Sequence, residues 1–261
     1  MDLSPEDLPP EITRGIDQMV AGNPGWGYKL YNNYDIENFI LYHYGKVVLS
    51  YYNRINEDYV AARVDFFRYL LMYKIGGVYL DVKSTANSRF DEIIRSDDRL
   101  ILCQWGTSPR FEGAGRHDWE FQGKIDGGEL QQWNIIAAPG HPYLRQVVLN
   151  VMRNIDCYIP DMHGVGAYGV LRVTGPIAYT LAIIPLLSMN RHRLVPSHED
   201  LGLEYSVFGN NTAHNAIFKK SYKNLTTPII RVNLFRRALS ALYRVFHWTR
   251  AGLRAGEGAV V

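Results

Sequence analysis

Cysteine is almost missing from this sequence: Cys103 and Cys157 are the two in 261 residues, with no Cys-x-x-Cys or Cys/His spacing around them. A disulfide framework and a structural zinc cluster are thereby excluded, and both thiols are expected to be buried and free in a reducing setting. Long apolar runs are scarce too. The longest uncharged stretch, Val173 to Asn190, contains Pro176 and Pro185 and falls short of the ~20 apolar residues a membrane span requires, so it reads as a buried helix. Met1 to Glu11 is acidic and proline-rich, unlike a secretory signal. Charge of one sign is nearly balanced, at a formal +2, which gives no reason to expect nucleic acid as a partner. There is no P-loop, no Gly-x-Ser-x-Gly and no internal repeat, and histidines 117, 141, 163, 192, 198 and 214 fall in no metal-ligand spacing.

What is present is enough for one sizeable core, since 47% of the residues are hydrophobic and no linker-like run divides them. The organisation expected is a domain over 1–230 followed by a tail over 231–261. Strand-like segments Lys46 to Tyr51, Val78 to Leu80, Leu100 to Trp105 and Asn134 to Ala138 interleave with helical Ile36 to Tyr44, Tyr59 to Lys74, Pro142 to Ile155 and Ile177 to Met189. Such alternation predicts an α/β class with helices layered on a sheet. Gly106 to Gly128 has no periodicity and exceeds ordinary loop length, so it reads as a lid or acceptor-binding loop.

The most informative stretch is Ala61 to Ser84. Val60, Val64, Phe67 and Leu71 recur at helical spacing, with Asp65 and Arg68 three apart on a neighbouring face beside Ala61 and Ala62. Gly76-Gly77 stops the helix where a left-handed backbone is needed. Val78-Tyr79-Leu80 then suits a short strand that delivers Asp81 to its carboxyl end, where open α/β sheets bind ligands. Asp65, Arg68 and Asp81 therefore read as convergent on a polyhydroxyl or phosphorylated ligand, the alternative being a helix-surface ion pair beside an unrelated strand-end carboxylate. Both Arg68 and Asp81 are expected to serve the site and not the core.

These residues carry a resemblance. The pattern Ala61, Asp65, Arg68, Tyr69, Gly76, Gly77, Tyr79 and Asp81 resembles the shared core of the DXD-containing sugar-binding glycosyltransferases, which include fungal initiating mannosyltransferases and bacterial capsular polysaccharide transferases. Asn23-Pro24-Gly25 with Tyr28, Gln132-Trp133-Asn134-Ile135 running into Pro139-Gly140-His141-Pro142, and Thr174-Gly175-Pro176 with Thr180 occur in the same order. The resemblance implies a glycosyltransferase A-type, Rossmann-like three-layer sandwich and a retaining transfer of a hexose from a nucleotide-diphospho-sugar to a glycan or glycolipid acceptor, in polysaccharide synthesis. By the same resemblance Asp65 and Arg68, with Ala61, Gly77 and Tyr79, bind the donor sugar. Asp81 acts at ribose, sugar and a divalent metal, manganese or magnesium. Asn134 lies near the reacting sugar, and His214 matches loosely a residue at metal or diphosphate.

Two departures qualify that reading. Lys83 stands where the second aspartate belongs, which puts the metal in question and places an ammonium in the phosphate/metal region, unless it is simply a solvated lysine. Residues resembling the family's opening strand are also not seen ahead of Leu8-Pro9-Pro10, so either the start is incomplete or the nucleotide pocket is built differently. A catalytically weak nucleotide-sugar-binding protein is the alternative these departures raise. The tail raises another, a membrane-surface adaptor. From Arg231 to Gly256 there are six arginines and no acid, while Val232, Phe235, Leu239, Leu242 and Phe246 make a helical apolar stripe. Residues 231–261 carry +5, leaving −3 for the remainder. A basic amphipathic helix of this kind suits an anionic membrane surface through 231–254, at the inner face of a cytoplasmic protein's membrane; a terminal helix packed on the domain suits it equally.

Overall fold

The structure, a computed structural model, describes residues 7–106, 109–112, 114–115, 118–121, 123–208 and 222–244. Three helices come first. Helix α1 (Pro10–Gly22) starts on a proline, whose missing N–H is no loss in a first turn. Helix α2 (Asn33–Arg54) opens with a capping box, in which Asn32 Oδ1 accepts from the Asp35 N–H at 2.9 Å and Asp35 Oδ2 from the Asn32 N–H at 3.2 Å. It bends at Gly45, whose φ of 74° leaves the helical region. The expected strand Lys46 to Tyr51 is thus the second half of a helix. Tyr44, Val48, Tyr51, Tyr52 and Ile55 recur at a helical period, and it is this stripe that reaches the main core. Helix α3 (Val60–Lys74) lies at the centre of the molecule, with every residue from Asp65 to Met72 buried.

After α3 the chain forms β1 (Gly77–Leu80), β2 (Thr85–Ala86), α4 (Phe90–Ile93), β3 (Leu100–Cys103), α5 (Asp118–Phe121) and β4 (Asn134–Ala137). It continues through α6 (Pro142–Cys157), α7 (Pro160–His163), α8 (Gly166–Val173), α9 (Pro176–Ile183), β5 (Arg193–Val195) and β6 (Leu203–Glu204). The main sheet runs β1-β4-β3-β5, antiparallel except for the parallel pair β3 and β5; β2 and β6 make a separate ladder. Alternate side chains of the sheet feed two cores. Leu100, Leu102, Ile135 and Ala137 join the core shared with α2, α3, α6, α8 and α9, while Ile101, Cys103 and Ile136 join Phe90, Trp133, Leu201 and Leu203 on the other face. Both faces are covered, and the expected three-layer α/β class holds.

Cys157 is exposed, contrary to the buried thiol expected; it is the last residue of α6, beyond that helix's packed stripe. Cys103 is buried as expected. The apolar stretch Gly166–Leu186, 21 residues of mean hydropathy 1.4, is long and apolar enough to cross a membrane by length and composition, although 61% of its most apolar window is buried inside the protein. Thr174 and Gly175 break it between α8 and α9. Within the expected lid, Phe111 and Phe121 are buried, and Gln104 Nε2 donates to the carbonyls of Asp126 and Gly128 at 2.7 and 3.1 Å.

Candidate active site

A cavity of about 1310 Å³ opens between α1, α3, β1 and the segment after β6. Its polar end is built by the turn from α3 into β1. Gly76 has φ 71° and sits so close to the Ala137 carbonyl and Pro139 nitrogen that a Cβ there would lie 2.7 Å from each. That tight corner sets β1 against β4, and the next residue after β1, Asp81, is locked by its N–H to the Trp133 carbonyl at 2.9 Å.

Arg68 is the hub. Its guanidinium is 3.2 Å from Asp65, 3.0 Å from Asp81 and 2.9 Å from the Gln132 carbonyl, with its carbon 4.9 Å from the centre of the Tyr79 ring. Tyr79 Oη donates to Asp81 Oδ1 at 3.1 Å. Asp65 accepts in addition from Thr174 Oγ1 at 3.0 Å and Gln132 Nε2 at 3.1 Å. Burial raises the Asp65 carboxyl to about 6, and Arg68, Thr174 and Gln132 only partly offset it. Burial alone would lower Arg68; Asp81, Tyr79 and Asp65 together raise it instead. Asp65, Arg68 and Asp81 do converge, as expected, and Ala61, Gly77, Tyr79 and Lys83 line the same cavity. The expectation that Arg68 stands apart from the core is corrected, because it is 4% exposed and spends its donors on protein partners.

Lys83 is not a solvated lysine. It follows Asp81 in a turn closed by the Ser84 N–H on the Asp81 carbonyl at 2.8 Å, and its own carbonyl accepts from Val207 N–H at 2.9 Å. The ammonium lies 3.7 Å from the centre of the Tyr205 ring, and the residue is 9% exposed. Burial lowers its pKa to about 8; Asp81 opposes that shift, while Arg68 and Lys223 add to it. Tyr205 packs in turn on Trp105 and Trp133, each at 5.3 Å.

Asn134 falls elsewhere. It is buried in β4, donates to Gln131 Oε1 at 2.8 Å, and is not among the cavity-lining residues. Gln132 and Trp133, just ahead of β4, line the cavity instead. Both carry a buried polar atom, Gln132 Oε1 and Trp133 Nε1, that finds no hydrogen-bond partner among the described residues. Glu129 also lines the cavity and is 3% exposed; burial lifts its carboxyl to about 7 although Trp105 Nε1 donates to it at 3.1 Å. Tyr205, Tyr222 and Lys223 complete the rim. Gln132, Trp133 and Thr174 were visible as motif residues without an assigned role; nothing in the local sequence marks Glu129, Tyr205 or Lys223. His214 lies outside the described residues.

The donor set does not fit a divalent cation. Among the described residues no group of three metal-ligating side chains occurs, Asp81 is already paired with Arg68 and Tyr79, and the second carboxylate position holds an ammonium.

A sheet edge ending in a carboxylate, a buried arginine bridging two aspartates and an adjoining cavity make up a polar site on an α/β fold. The sequence resemblance holds as well: residues 9–100 match the model of the glycosyltransferase sugar-binding region containing DXD motif. The chain is 31% identical over 155 residues to "Putative glycosyltransferase HOC1" of Saccharomyces cerevisiae, covering 56% of this chain and 37% of that protein. It is 33% identical over 95 residues to "Initiation-specific alpha-1,6-mannosyltransferase" of Candida albicans, covering 34% of this chain and 24% of that one. The chain thus spans about a third or less of the length of these curated relatives. Among solved structures, "PaToxG Glycosyltransferase" superposes with a TM-score of 0.44 at 15% identity, over 72% of this chain and 65% of that one.

Proposed function

We propose that this chain is a retaining glycosyltransferase that moves a hexose, mannose by analogy with its named relatives, from a nucleotide-diphospho-sugar to a glycan or glycolipid acceptor in polysaccharide synthesis. The observation that carries the reading is the Asp65–Arg68–Asp81 cluster at one end of a 1310 Å³ cavity. Pockets for single small ligands are usually ~300–1,000 Å³, so there is room here for a donor and part of an acceptor. Asp81, a quarter exposed, offers acceptor oxygens to ribose or sugar hydroxyls. Arg68 holds that carboxylate in place, and Asp65 holds Arg68. The unpartnered Trp133 Nε1 donor and Gln132 Oε1 acceptor match what a polyhydroxyl ligand supplies.

In the transfer, the bond between the anomeric carbon and the diphosphate oxygen breaks as the acceptor oxygen bonds to the same carbon on the same face. The acceptor's proton passes to the departing phosphate, so no protein nucleophile is required. The protein's part is to orient the two substrates and neutralise the growing negative charge. Screening UDP- and GDP-hexoses for thermal stabilisation identifies the donor, since a ligand at ~100 times its Kd adds roughly 2.7 kcal/mol. Donor consumption with and without glycan acceptors then tests transfer. Stabilisation without consumption supports the second reading, a catalytically weak donor-binding protein, which the replaced second aspartate favours.

The proposed acceptor side is a membrane surface. Helical residues 234–244 present Leu234, Phe235 and Leu242 outward, 82%, 69% and 66% exposed. The opposite stripe is tied to the domain, Arg236 to the Tyr158 carbonyl at 3.0 Å and Arg244 and Ser240 to Asp161. An outward apolar face in a segment rich in arginine fits peripheral attachment at an anionic cytoplasmic leaflet. Phe246, Trp248, Arg250 and Arg254 lie outside the described residues.

A further inference from the structure

A buried cation ordinarily has an anion beside it, because an ammonium taken out of water without one is strongly disfavoured. Lys83 breaks that rule. Nine-tenths of it is buried, yet among the described residues no carboxylate comes within ion-pair distance of its Nζ and no acceptor is hydrogen-bonded to it. The nearest carboxylate on its own turn, Asp81, is turned to Arg68 and Tyr79. The ring of Tyr205 supports the ammonium from one side, and the other side belongs to the cavity wall, where Lys223 and Tyr222 also lie. The backbone of this turn is pinned on both flanks, by Val207 N–H to the Lys83 carbonyl at 2.9 Å and by Ser84 Oγ to the Tyr205 carbonyl at 2.8 Å. The turn that carries Lys83 is therefore fixed, and its buried side chain places Nζ over the Tyr205 ring.

We infer that the Lys83 ammonium, seated on Tyr205 at the cavity wall beside Lys223, is the counter-charge for the diphosphate of a nucleotide ligand, taking over the position and the task of a divalent cation. The inference rests on the donor reading above for the identity of the anion. It explains why the second carboxylate is absent: a second aspartate would recruit a cation, whereas a lysine is the cation. It also explains the aromatic seat, which favours a positive charge over its face while lending no anion that would compete with phosphate. An ammonium with three rotatable donors suits a diphosphate that must leave after transfer.

The test uses the purified full chain and three probes: inorganic pyrophosphate, UDP and GDP, each titrated calorimetrically in EDTA and again with manganese. Binding of a nucleoside diphosphate and of pyrophosphate with equal affinity in EDTA and manganese is expected. Lys83→Met should weaken both in EDTA by ten- to a hundredfold while leaving thermal stability unchanged or higher, since it removes a buried unpaired charge. Lys83→Asp should abolish binding in EDTA and restore it with manganese. Wild-type binding that disappears in EDTA, returns with manganese and is indifferent to Lys83→Met overturns the inference and leaves the donor reading standing. Pyrophosphate binding through Lys83 without affinity for either nucleotide upholds the anion site and removes the donor reading. If neither pyrophosphate nor a nucleotide binds in either condition, the inference is overturned.

Discussion

Arg68 and Asp81 touch each other at 3.0 Å, yet replacing them should lower stability to very different extents while having the same effect on activity. In Arg68→Ala, two carboxylates lose their shared counter-charge, and the one on Asp65, 3% exposed, is stranded. Removing one partner of a buried pair costs about 3–5 kcal/mol, a large fraction of a typical 5–15 kcal/mol total. With a urea slope of about 3 kcal/mol/M, the unfolding midpoint should fall by roughly 1 to 1.7 M. Asp81→Asn keeps the side chain's shape and an acceptor for Tyr79, and Arg68 keeps Asp65 at 3.2 Å. The loss there is one hydrogen-bonded contact at a quarter-exposed group, on the order of 1 kcal/mol. Both variants should lose donor turnover. Adding Asp65→Asn to an Arg68→Met background should recover part of the lost midpoint, because the stranded charge is then gone. If Arg68→Ala unfolds within 0.2 M of the unaltered chain, or Asp81→Asn falls by a molar, the hub is misassigned and the bridge is a surface pair of little consequence.

Three further outcomes are expected. Glu129 is raised from an ordinary 4.5 to about 7 by burial, so folding favours its protonated form. Stability from this group is therefore complete below about 4.5 and is lost as pH rises through 7, by roughly 3 kcal/mol at 1.36 kcal/mol per pH unit; midpoints measured from pH 4.5 to 8 should show this slope, and Glu129→Gln should flatten it. Gly76→Ala forces a side chain into φ 71° and against the Ala137 carbonyl, so it should lower the midpoint by more than the ~1 kcal/mol of an ordinary glycine change; an unchanged midpoint argues against the tight corner. Phe235→Asp with Leu242→Asp should abolish flotation with anionic vesicles at low salt and leave the urea midpoint unaltered, since both side chains are exposed; flotation equal to that of the unaltered chain refutes the membrane-facing assignment.

The sequence alone determined the α3–glycine–β1 unit, since a helical stripe, two glycines and a short apolar strand are local patterns with local causes; that Asp81 then meets Arg68 and Asp65 was open in the sequence and is settled by the fold. The sequence also determined the departure at Lys83. Local pattern misled at Lys46 to Tyr51, where a strand-like segment is overruled by a helical stripe whose use depends on what α3 and α6 offer it. Only the tertiary structure decided that Arg68 is buried, because a guanidinium three residues from an aspartate is equally suited to water until Thr174, Gln132 and Tyr79 close around it. The same holds for Lys83: its burial is imposed by Tyr205, more than a hundred residues away, and that Gln132 and Trp133 reach the cavity while Asn134 does not follows from how the chain packs around them. Contacts made across such separations depend on packing geometry, and no local spacing records them.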